Sequence, residues 1–187
     1  MPRAFIAIEI DDTSQKSLLK IQDELKDHHL EASWVKTANI HLTLRFLGEI
    51  SNELVGKVSE SLSQITPRYP VFEFEMSQVG AFPTTQSPRV VWVGCQDENN
   101  ILTRIYQDIE TNLTNLGIVP DDHKFSAHLT IGRIKSRKNT EQLKGFFDKN
   151  KDIRFGTQKV NVLTLFQSTL TPAGPIYNPL GKFPFRI

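Results

Sequence analysis

The chain of 187 residues contains one cysteine, Cys95. A single thiol rules out an intrachain disulfide framework and a cysteine-based zinc site. No apolar run approaches the roughly 20 residues of a membrane-spanning helix. The amino terminus shows no signal segment with a cleavage site; residues 1–9 have the pattern of a first strand instead. We therefore expect a cytoplasmic protein that does not associate with membranes.

Charge of one sign is also scarce, since 22 basic and 21 acidic residues leave a formal net charge of +1. A broad electrostatic surface for nucleic acid is not predicted at this charge. If the ligand is RNA, we expect the protein to hold one end of it rather than a long tract. The sequence also lacks a glycine-rich phosphate loop followed by Lys-Ser or Lys-Thr, and a Gly-x-Ser-x-Gly nucleophile elbow.

The predicted elements occur twice in the same order. Each half has an apolar strand, an amphipathic helix and a second strand. The first half has strands at residues 5–10 and 39–46, and its helix carries Leu18, Ile21 and Leu25 on one face. The second half has strands at residues 90–94 and 125–131, and its helix carries on one face Leu102, Ile105, Ile109 and Leu113. Phe5 and His41 are 36 residues apart, and Val91 and His128 are 37 apart. A period of this length indicates duplication of a lobe rather than a solenoid repeat.

Each copy continues with a further helix and strand. The helices are predicted at residues 51–65 and 140–149, and the strands at residues 71–76 and 159–166. Residues 80–88 are expected to join the halves, and residues 171–187 to form an ordered loop and a last strand. Because several strands alternate polar and apolar residues, as half-exposed antiparallel strands do, we predict an α+β fold with two similar lobes facing each other.

One strand of each half carries a histidine and a threonine two positions apart. His41 and Thr43 alternate with apolar residues, as do His128 and Thr130. Period-two alternation places the imidazole and the hydroxyl on the same face of each strand. One such pattern would indicate only a structural histidine. Two copies at equivalent positions of a duplicated fold predict a shared cleft.

Two imidazoles and two hydroxyls suit displacement at phosphorus. One ring can be neutral and act as general base while the other is protonated and acts as general acid. The hydroxyls can donate hydrogen bonds to non-bridging phosphate oxygens. No metal is expected, because two histidines lack the usual third protein ligand. The more ligand-like run, Asp121-Asp122-His123, follows Pro120 in a predicted solvated loop.

His41-Leu42-Thr43-Leu44 and His128-Leu129-Thr130-Ile131 resemble the paired HxTx signatures of the 2H phosphoesterase superfamily. The surrounding sequence resembles its RNA 2′,3′-cyclic phosphodiesterase branch, also called 2′-5′ RNA ligase-like, at residues 3–8, 41–49, 80–83, 89–94, 132–133 and 168–177. The resemblance implies one domain, residues 1–187, of two interleaved lobes, with two antiparallel sheets flanking a central cleft and helices outside. It also implies hydrolysis of a 2′,3′-cyclic phosphate to a 2′-phosphomonoester without a cofactor.

The resemblance further implies that His41 protonates the departing 3′ oxygen, that His128 activates water, and that Thr43 and Thr130 bind phosphate. The residues alone leave the order of the histidines open, since a pseudo-symmetric pair works in either direction. The implied partners are RNA with a 2′,3′-cyclic phosphate end, tRNA fragments among them, or small nucleotides, bound by a monomer. Two alternatives remain: 2′-5′ ligation of RNA ends in the same site, and a nucleotide-binding module without turnover.

Two arginines near the motifs are candidate phosphate ligands. Arg45 shares the parity of His41, so an unbroken strand aims it at the cleft. Arg133 has the opposite parity to His128, unless a bulge at Gly132 redirects it. The remaining candidates are Trp34, Phe46 and Tyr177 for base stacking, with Phe46 expected in the core; a solvated basic run of Lys135, Arg137 and Lys138; the exposed pair His28 and His29; and Cys95 as a buried structural residue.

Overall fold

The structure is a computed structural model that describes all residues 1–187. Its four α-helices are α1 (Asp12–Lys26), α2 (Asn52–Ile65), α3 (Ile101–Asn115) and α4 (Leu143–Lys149). Its nine strands are β1 (Arg3–Glu9), β2 (Ala32–Trp34), β3 (His41–Glu49), β4 (Phe72–Thr84), β5 (Ser87–Gln96), β6 (His128–Ile134), β7 (Arg154–Val160), β8 (Val162–Thr171) and β9 (Gly174–Pro184). Three short 3-10 helices lie at Thr37–Asn39, Thr66–Arg68 and Thr140–Gln142.

All named strands join one antiparallel sheet in the order β7-β4-β5-β6-β3-β1-β8-β9, with β2 beside β6. The sheet has two halves, one of five strands including β2 and one of four, which meet where β3 lies beside β6. Leu42 and Leu129 form the single residue pair across this junction. The predicted α+β class and the two facing lobes are confirmed. The two predicted sheets are continuous with each other through this one pair.

Two of the helices, α1 and α2, begin at polar residues whose side chains cap them. The Asp11 carboxylate accepts a hydrogen bond from the backbone N–H of Ser14 at 2.8 Å, which caps α1. The Ser51 hydroxyl accepts one from Leu54 at 3.1 Å, which caps α2. Each bond satisfies an amide that the first turn of a helix leaves free. None of the four helices has the length and hydrophobicity that crossing a bilayer requires.

The two halves of the chain exchange helices. The first-half helix α1 packs on β6 and β7, which are strands of the second half. The second-half helix α3 binds the first-half strand β3 through an ion pair between Glu110 and Arg45. One large apolar cluster fills the space between the helices and the sheet. The opposite face of the sheet, around the junction of β3 and β6, is left open; we call it the cleft.

Three predictions of element boundaries were wrong, and so was the predicted role of residues 80–88. The strand predicted at residues 159–166 is broken at Asn161 and belongs to β7 and β8. The strand predicted at residues 71–76 continues to Thr84, because a bulge at Gln78 interrupts the alternation of side chains without ending the strand. Residues 80–88 therefore form the turn end of the β4–β5 hairpin rather than a join between the halves. The helix predicted at residues 140–149 is a 3-10 turn followed by α4.

Candidate active site

The histidines and threonines of both motifs lie on the cleft face of the sheet. Leu42 and Leu129, between them, are fully buried against the helices. Adjacent residues of a strand point to opposite faces, so the motif side chains point into the cleft. Antiparallel pairing about Leu42 and Leu129 sets each histidine opposite the threonine of the other motif. The histidines are then diagonal neighbours, which in a regular ladder lie roughly 7–8 Å apart.

Both imidazoles are held in the same tautomer. His41 Nδ1 lies 2.8 Å from the carbonyl oxygen of Asn39, and His128 Nδ1 lies 2.7 Å from that of Ser126. A carbonyl oxygen only accepts, so each Nδ1 carries a proton and donates it. The Nε2 atom is therefore the nitrogen of each ring that is available for proton transfer in the cleft.

The two imidazoles differ in their charged neighbours. Burial lowers the pKa of His41 below its ordinary value, while the bond to Asn39 and the Glu9 carboxylate act in the opposite direction. Burial also lowers the pKa of His128; the bond to Ser126 opposes this, and the Arg133 guanidinium lowers the pKa further. A carboxylate thus favours the charged form of one ring, and a guanidinium favours the neutral form of the other.

Aromatic side chains line the cleft wall around His41. The Phe5 ring lies 4.9 Å from the imidazole, and the Tyr177 ring meets it edge to face at 5.2 Å. Phe5 also stacks on Phe166 at 5.2 Å and lies 5.8 Å from Phe46, which is 61% exposed. This wall, formed by β1, β3, β8 and β9, offers flat apolar surfaces beside the first motif.

The wall around His128 is also aromatic. The Phe82 ring meets the imidazole edge to face at 5.0 Å, and the Trp92 ring lies 6.5 Å away. Trp92 lies over Gly80, where a Cβ atom would come within 2.3 Å of the indole. A glycine at this position is therefore required for the indole to adopt its place beside His128.

Sequence reasoning missed four of these cleft aromatics, namely Phe5, Phe82, Trp92 and Phe166. In β1 the five central residues are all buried, so no polar-apolar alternation separates cleft from core. In β4 the register shift between Phe82 and Pro83 interrupts the alternation. For Trp92 the sequence also gave no signal, because residues 90–93 are all apolar; the alternation of buried and half-buried positions in β5 is seen only in the structure.

A bulge in β3 reverses the direction expected for Arg45. In the ladder with β1, Ala7 pairs with Thr43 and Ile6 pairs with Arg45, so Leu44 is an extra residue without a partner. An extra residue shifts the alternation by one position. Side chains after the bulge therefore face opposite to the directions that simple alternation predicts.

Arg45 is consequently buried on the helix side. Its guanidinium pairs with Glu110 of α3 and donates to the carbonyl oxygens of Phe46 and Val119. The prediction that Arg45 faces the cleft was wrong. The same bulge turns Phe46 outward, so the expectation that Phe46 lies in the core was also wrong.

The second motif contains the corresponding bulge. In the ladder with β5, Trp92 pairs with Thr130 and Val91 pairs with Gly132, so Ile131 is the extra residue. The bulge that redirects the following side chains was expected at Gly132 and lies one residue earlier. Gly132 faces the helix side, where Trp34 covers it; a Cβ there would come within 2.7 Å of the indole.

Arg133 is exposed on the cleft face as a result of this bulge. Its positive charge lowers the pKa of His128, which lies on one wall of the cleft, and opposes the rise in the pKa of Tyr177, which lies on the other wall. Burial raises the pKa of Tyr177, and the charges of Arg133 and Arg3 oppose that rise. One guanidinium therefore stands within electrostatic reach of both cleft walls.

The match to a known protein family reflects the duplication of the chain. The family described as LigT like phosphoesterase matches residues 8–92 and, a second time, residues 93–177. The chain belongs to this LigT-like phosphoesterase family. Each of the two matches contains one of the His-x-Thr motifs.

Similar family members have curated names. An RNA 2′,3′-cyclic phosphodiesterase of Archaeoglobus fulgidus is 40% identical over 184 residues, which cover 97% of this chain and 99% of the relative. One of Aquifex aeolicus is 33% identical over 187 residues, covering 97% and 96%. Among solved structures, TT0787 of Thermus thermophilus has a TM-score of 0.83 at 24% identity, and Escherichia coli LigT complexed with 3′-AMP has 0.74 at 22%; both alignments cover 98% of each chain. These structures share the fold.

The other singled-out residues of this LigT-like phosphoesterase lie outside the cleft, apart from Tyr177. Trp34 packs against the core, which removes it as a base-stacking candidate. Asp121, Asp122 and His123 meet on an exposed loop, where His123 Nδ1 lies 2.7 Å from Asp122.

The basic run of Lys135, Arg137 and Lys138 is exposed, and burial raises the pKa of Cys95 well above its ordinary value. His29 is exposed, whereas His28 is half-buried with its ring 5.6 Å from that of Phe146.

Proposed function

We propose that the chain hydrolyses RNA 2′,3′-cyclic phosphate ends to 2′-phosphomonoesters, with His41 as general acid and His128 as general base. The observation that carries the proposal is the matched pair of imidazoles, one from each copy of the duplication, with each Nδ1 bound to a carbonyl oxygen. The names of the relatives support the class of reaction.

The site suits an in-line displacement. His128 Nε2 accepts a proton from water while the water oxygen forms a bond to phosphorus. The bond from phosphorus to the 3′ oxygen breaks, and that oxygen takes the proton of His41 Nε2. The 2′-phosphomonoester is left. Entering and leaving oxygens lie on opposite sides of phosphorus, and the two lobes supply one histidine to each side.

The charges around the rings support this order of roles. Glu9 pairs with His41 in the ladder of β1 and β3, and its carboxylate favours the protonated ring that an acid requires. Arg133 favours the neutral ring that a base requires. These two charges favour His41 as the proton donor and His128 as the acceptor.

Thr43, Thr130 and Arg133 are the proposed phosphate ligands. The two hydroxyls donate to non-bridging oxygens, and the guanidinium balances the negative charge that develops during displacement. Proton transfer and charge stabilisation are thus all assigned to side chains, so the mechanism requires no metal. Arg45 has no part in it, because its guanidinium is bound on the other face.

The terminal nucleoside is assigned to the wall around His41. The ribose carries the departing 3′ oxygen, so it lies on the side of the general acid. Tyr177 and Phe46 present aromatic rings on that wall, and bases stack favourably on such rings. RNA ends, tRNA fragments among them, and small cyclic nucleotides all contain the part that this wall would hold.

The test uses an oligonucleotide that ends in a 2′,3′-cyclic phosphate, in the presence of EDTA. We expect turnover by the wild type, a loss of about 10²–10⁴-fold in His41→Ala and in His128→Ala, and a 2′-phosphate product. His123→Ala, at an exposed histidine, serves as the matched control and should retain full activity. Because burial lowers the pKa of both rings, kcat/KM should be bell-shaped with pH, with its maximum on the acid side of 6.5.

Full activity in both cleft variants would refute the site, and loss of turnover on adding EDTA would refute metal independence. A 3′-phosphate product would mean that the 2′ oxygen departs. Adding an RNA with a free 5′ hydroxyl separates hydrolysis from ligation, because an alcohol then competes with water and a 2′-5′ linkage appears. Stoichiometric binding without product would indicate a binding module.

A further inference from the structure

Asn39 joins the His41 imidazole to the β8–β9 hairpin. Its side-chain Nδ2 donates to the carbonyl oxygen of Pro175 at 3.0 Å, across 136 residues of sequence. Its own carbonyl oxygen accepts the Nδ1 proton of His41 at 2.8 Å. One residue at the end of a 3-10 turn therefore has its side chain fixed by the hairpin and its backbone fixed on the imidazole.

The same hairpin holds the other neighbours of His41. Tyr177 of β9 meets the imidazole edge to face at 5.2 Å. Thr164 of β8 donates to the Glu9 carboxylate at 3.1 Å, and Lys182 of β9 pairs with it at 3.2 Å. The ring and the carboxylate that face His41 are thus both attached to this hairpin.

The second motif lacks such an attachment. Ser126 takes the place of Asn39, and its carbonyl oxygen accepts from His128 Nδ1 in the same way. Its hydroxyl makes no hydrogen bond within the protein. Two motifs that match in sequence, tautomer and bulge therefore differ in the support behind the imidazole.

We propose that Asn39 is a positioning residue that fixes the orientation of His41 for proton donation by tying it to the β8–β9 hairpin. The inference rests on the proposed function of His41 as general acid. A catalytic side chain must be held within roughly 10–20° of its productive orientation, and a rotating carbonyl partner would not do this. The 3-10 turn holds the Asn39 backbone through its N–H bond to the Lys36 carbonyl oxygen at 2.7 Å, and the Nδ2 bond to Pro175 anchors this turn to the hairpin.

The first test is kinetic, with the cyclic-phosphate oligonucleotide as substrate. Asn39→Ala is expected to lower kcat by about 10- to 100-fold with little change in KM, since misplacing a catalytic group affects the chemical step. In a His41→Ala background the same substitution should cause no further loss. Asn139→Ala removes an equivalent bond, from Asn139 Nδ2 to the His29 carbonyl oxygen at 3.0 Å, far from the cleft, and should leave kcat unchanged.

The second test is an NMR titration of the imidazole protons without substrate. The hydrogen bond to Asn39 and the Glu9 carboxylate both raise the pKa of His41 against burial. Asn39→Ala should therefore lower the midpoint of His41 and leave that of His128 in place, which provides an internal control. The charged or titratable groups around His41 are Glu9, its partner Lys182, Tyr177 and, across the junction, His128 with Arg133 beside it; all remain in the variant.

If Asn39→Ala leaves both kcat and the His41 midpoint unchanged, the proposal is overturned. It is also overturned if Asn39→Ala lowers kcat as much in the His41→Ala background as in the wild type. If the wild type does not hydrolyse the substrate, the proposed function fails, while the titration still tests the attachment. Should Asn39→Ala fail to fold, Asn39→Ser keeps a polar side chain too short to reach Pro175. It is expected to give the same two results.

Discussion

At the scale of single residues, one extra residue in a strand decides what the arginines do. Leu44 and Ile131 are the bulged positions of β3 and β6. Beyond the bulge, the first strand places Arg45 toward the helices and the second places Arg133 in the cleft. Two arginines at similar distances along the chain from their motif histidines therefore have different roles. Arg45 holds α3 to the sheet, and Arg133 lies where the phosphate is proposed to bind.

Substituting each arginine should separate these tasks. Arg45→Ala leaves the Glu110 carboxylate with its buried partner removed, so we expect the free energy of unfolding to fall by about 3 kcal/mol. Arg133→Ala removes an exposed charge and should leave that energy nearly unchanged, while kcat/KM falls by about 10- to 100-fold. Denaturant unfolding and steady-state kinetics measure the two quantities. A fully stable Arg45→Ala enzyme with reduced kcat/KM would contradict this division.

Much of the site could be predicted from the alternation of side chains along the strands. That prediction fails beyond the bulges, and the reason is physical. His41, Thr43, His128 and Thr130 precede the bulges, so period two places them correctly. Leu44 and Ile131 are ordinary apolar residues, and their lack of a ladder partner arises from the neighbouring strands. The directions of Arg45 and Phe46 therefore depended on pairing that the local sequence does not encode.

At the scale of elements, each exchanged helix supports the bulge of the other half. Gln22 of α1 is buried and donates through Nε2 to the carbonyl oxygens of Ile131, at 2.7 Å, and Val35, at 2.8 Å. Glu110 of α3 binds Arg45, the residue that follows the other bulge. Helix positions could be predicted from capping residues and apolar periodicity. Which sheet each helix covers could not, because an amphipathic helix fits either apolar face.

Gln22→Leu is expected to affect both stability and catalysis. Two carbonyl oxygens lose a donor, so the free energy of unfolding should fall by about 2 kcal/mol. The bulge that directs Arg133 also loosens, so kcat/KM should fall, and this catalytic loss should disappear in an Arg133→Ala background. Asn150→Leu removes another buried amide bond, to the Phe146 carbonyl oxygen, and should reduce stability alone. A catalytic loss that persists without Arg133 would show that Gln22 acts by another route.

At the scale of the whole molecule, the duplication creates the site between the lobes. The Leu42–Leu129 pair lies at the centre of the arrangement, and each lobe contributes one motif beside it. The two motifs at nearly equal spacing in the two halves were sufficient to predict this shared cleft. The exchange of α1 and α3 ties the lobes together, so we expect residues 1–187 to unfold as one unit.

The charge of the molecule limits how much RNA it can hold. With a net charge of +1 and few cations at the cleft, one or two phosphates are expected to be bound. The logarithm of kcat/KM should then fall with the logarithm of salt concentration with a slope of only about −0.7 to −1.4, as for one or two contacts to a single strand. Lengthening the RNA from two to about twelve nucleotides should change kcat/KM by less than about threefold. A slope that steepens with length would assign RNA binding to the exposed run of Lys135, Arg137 and Lys138, and alanine at all three positions would then abolish the length dependence.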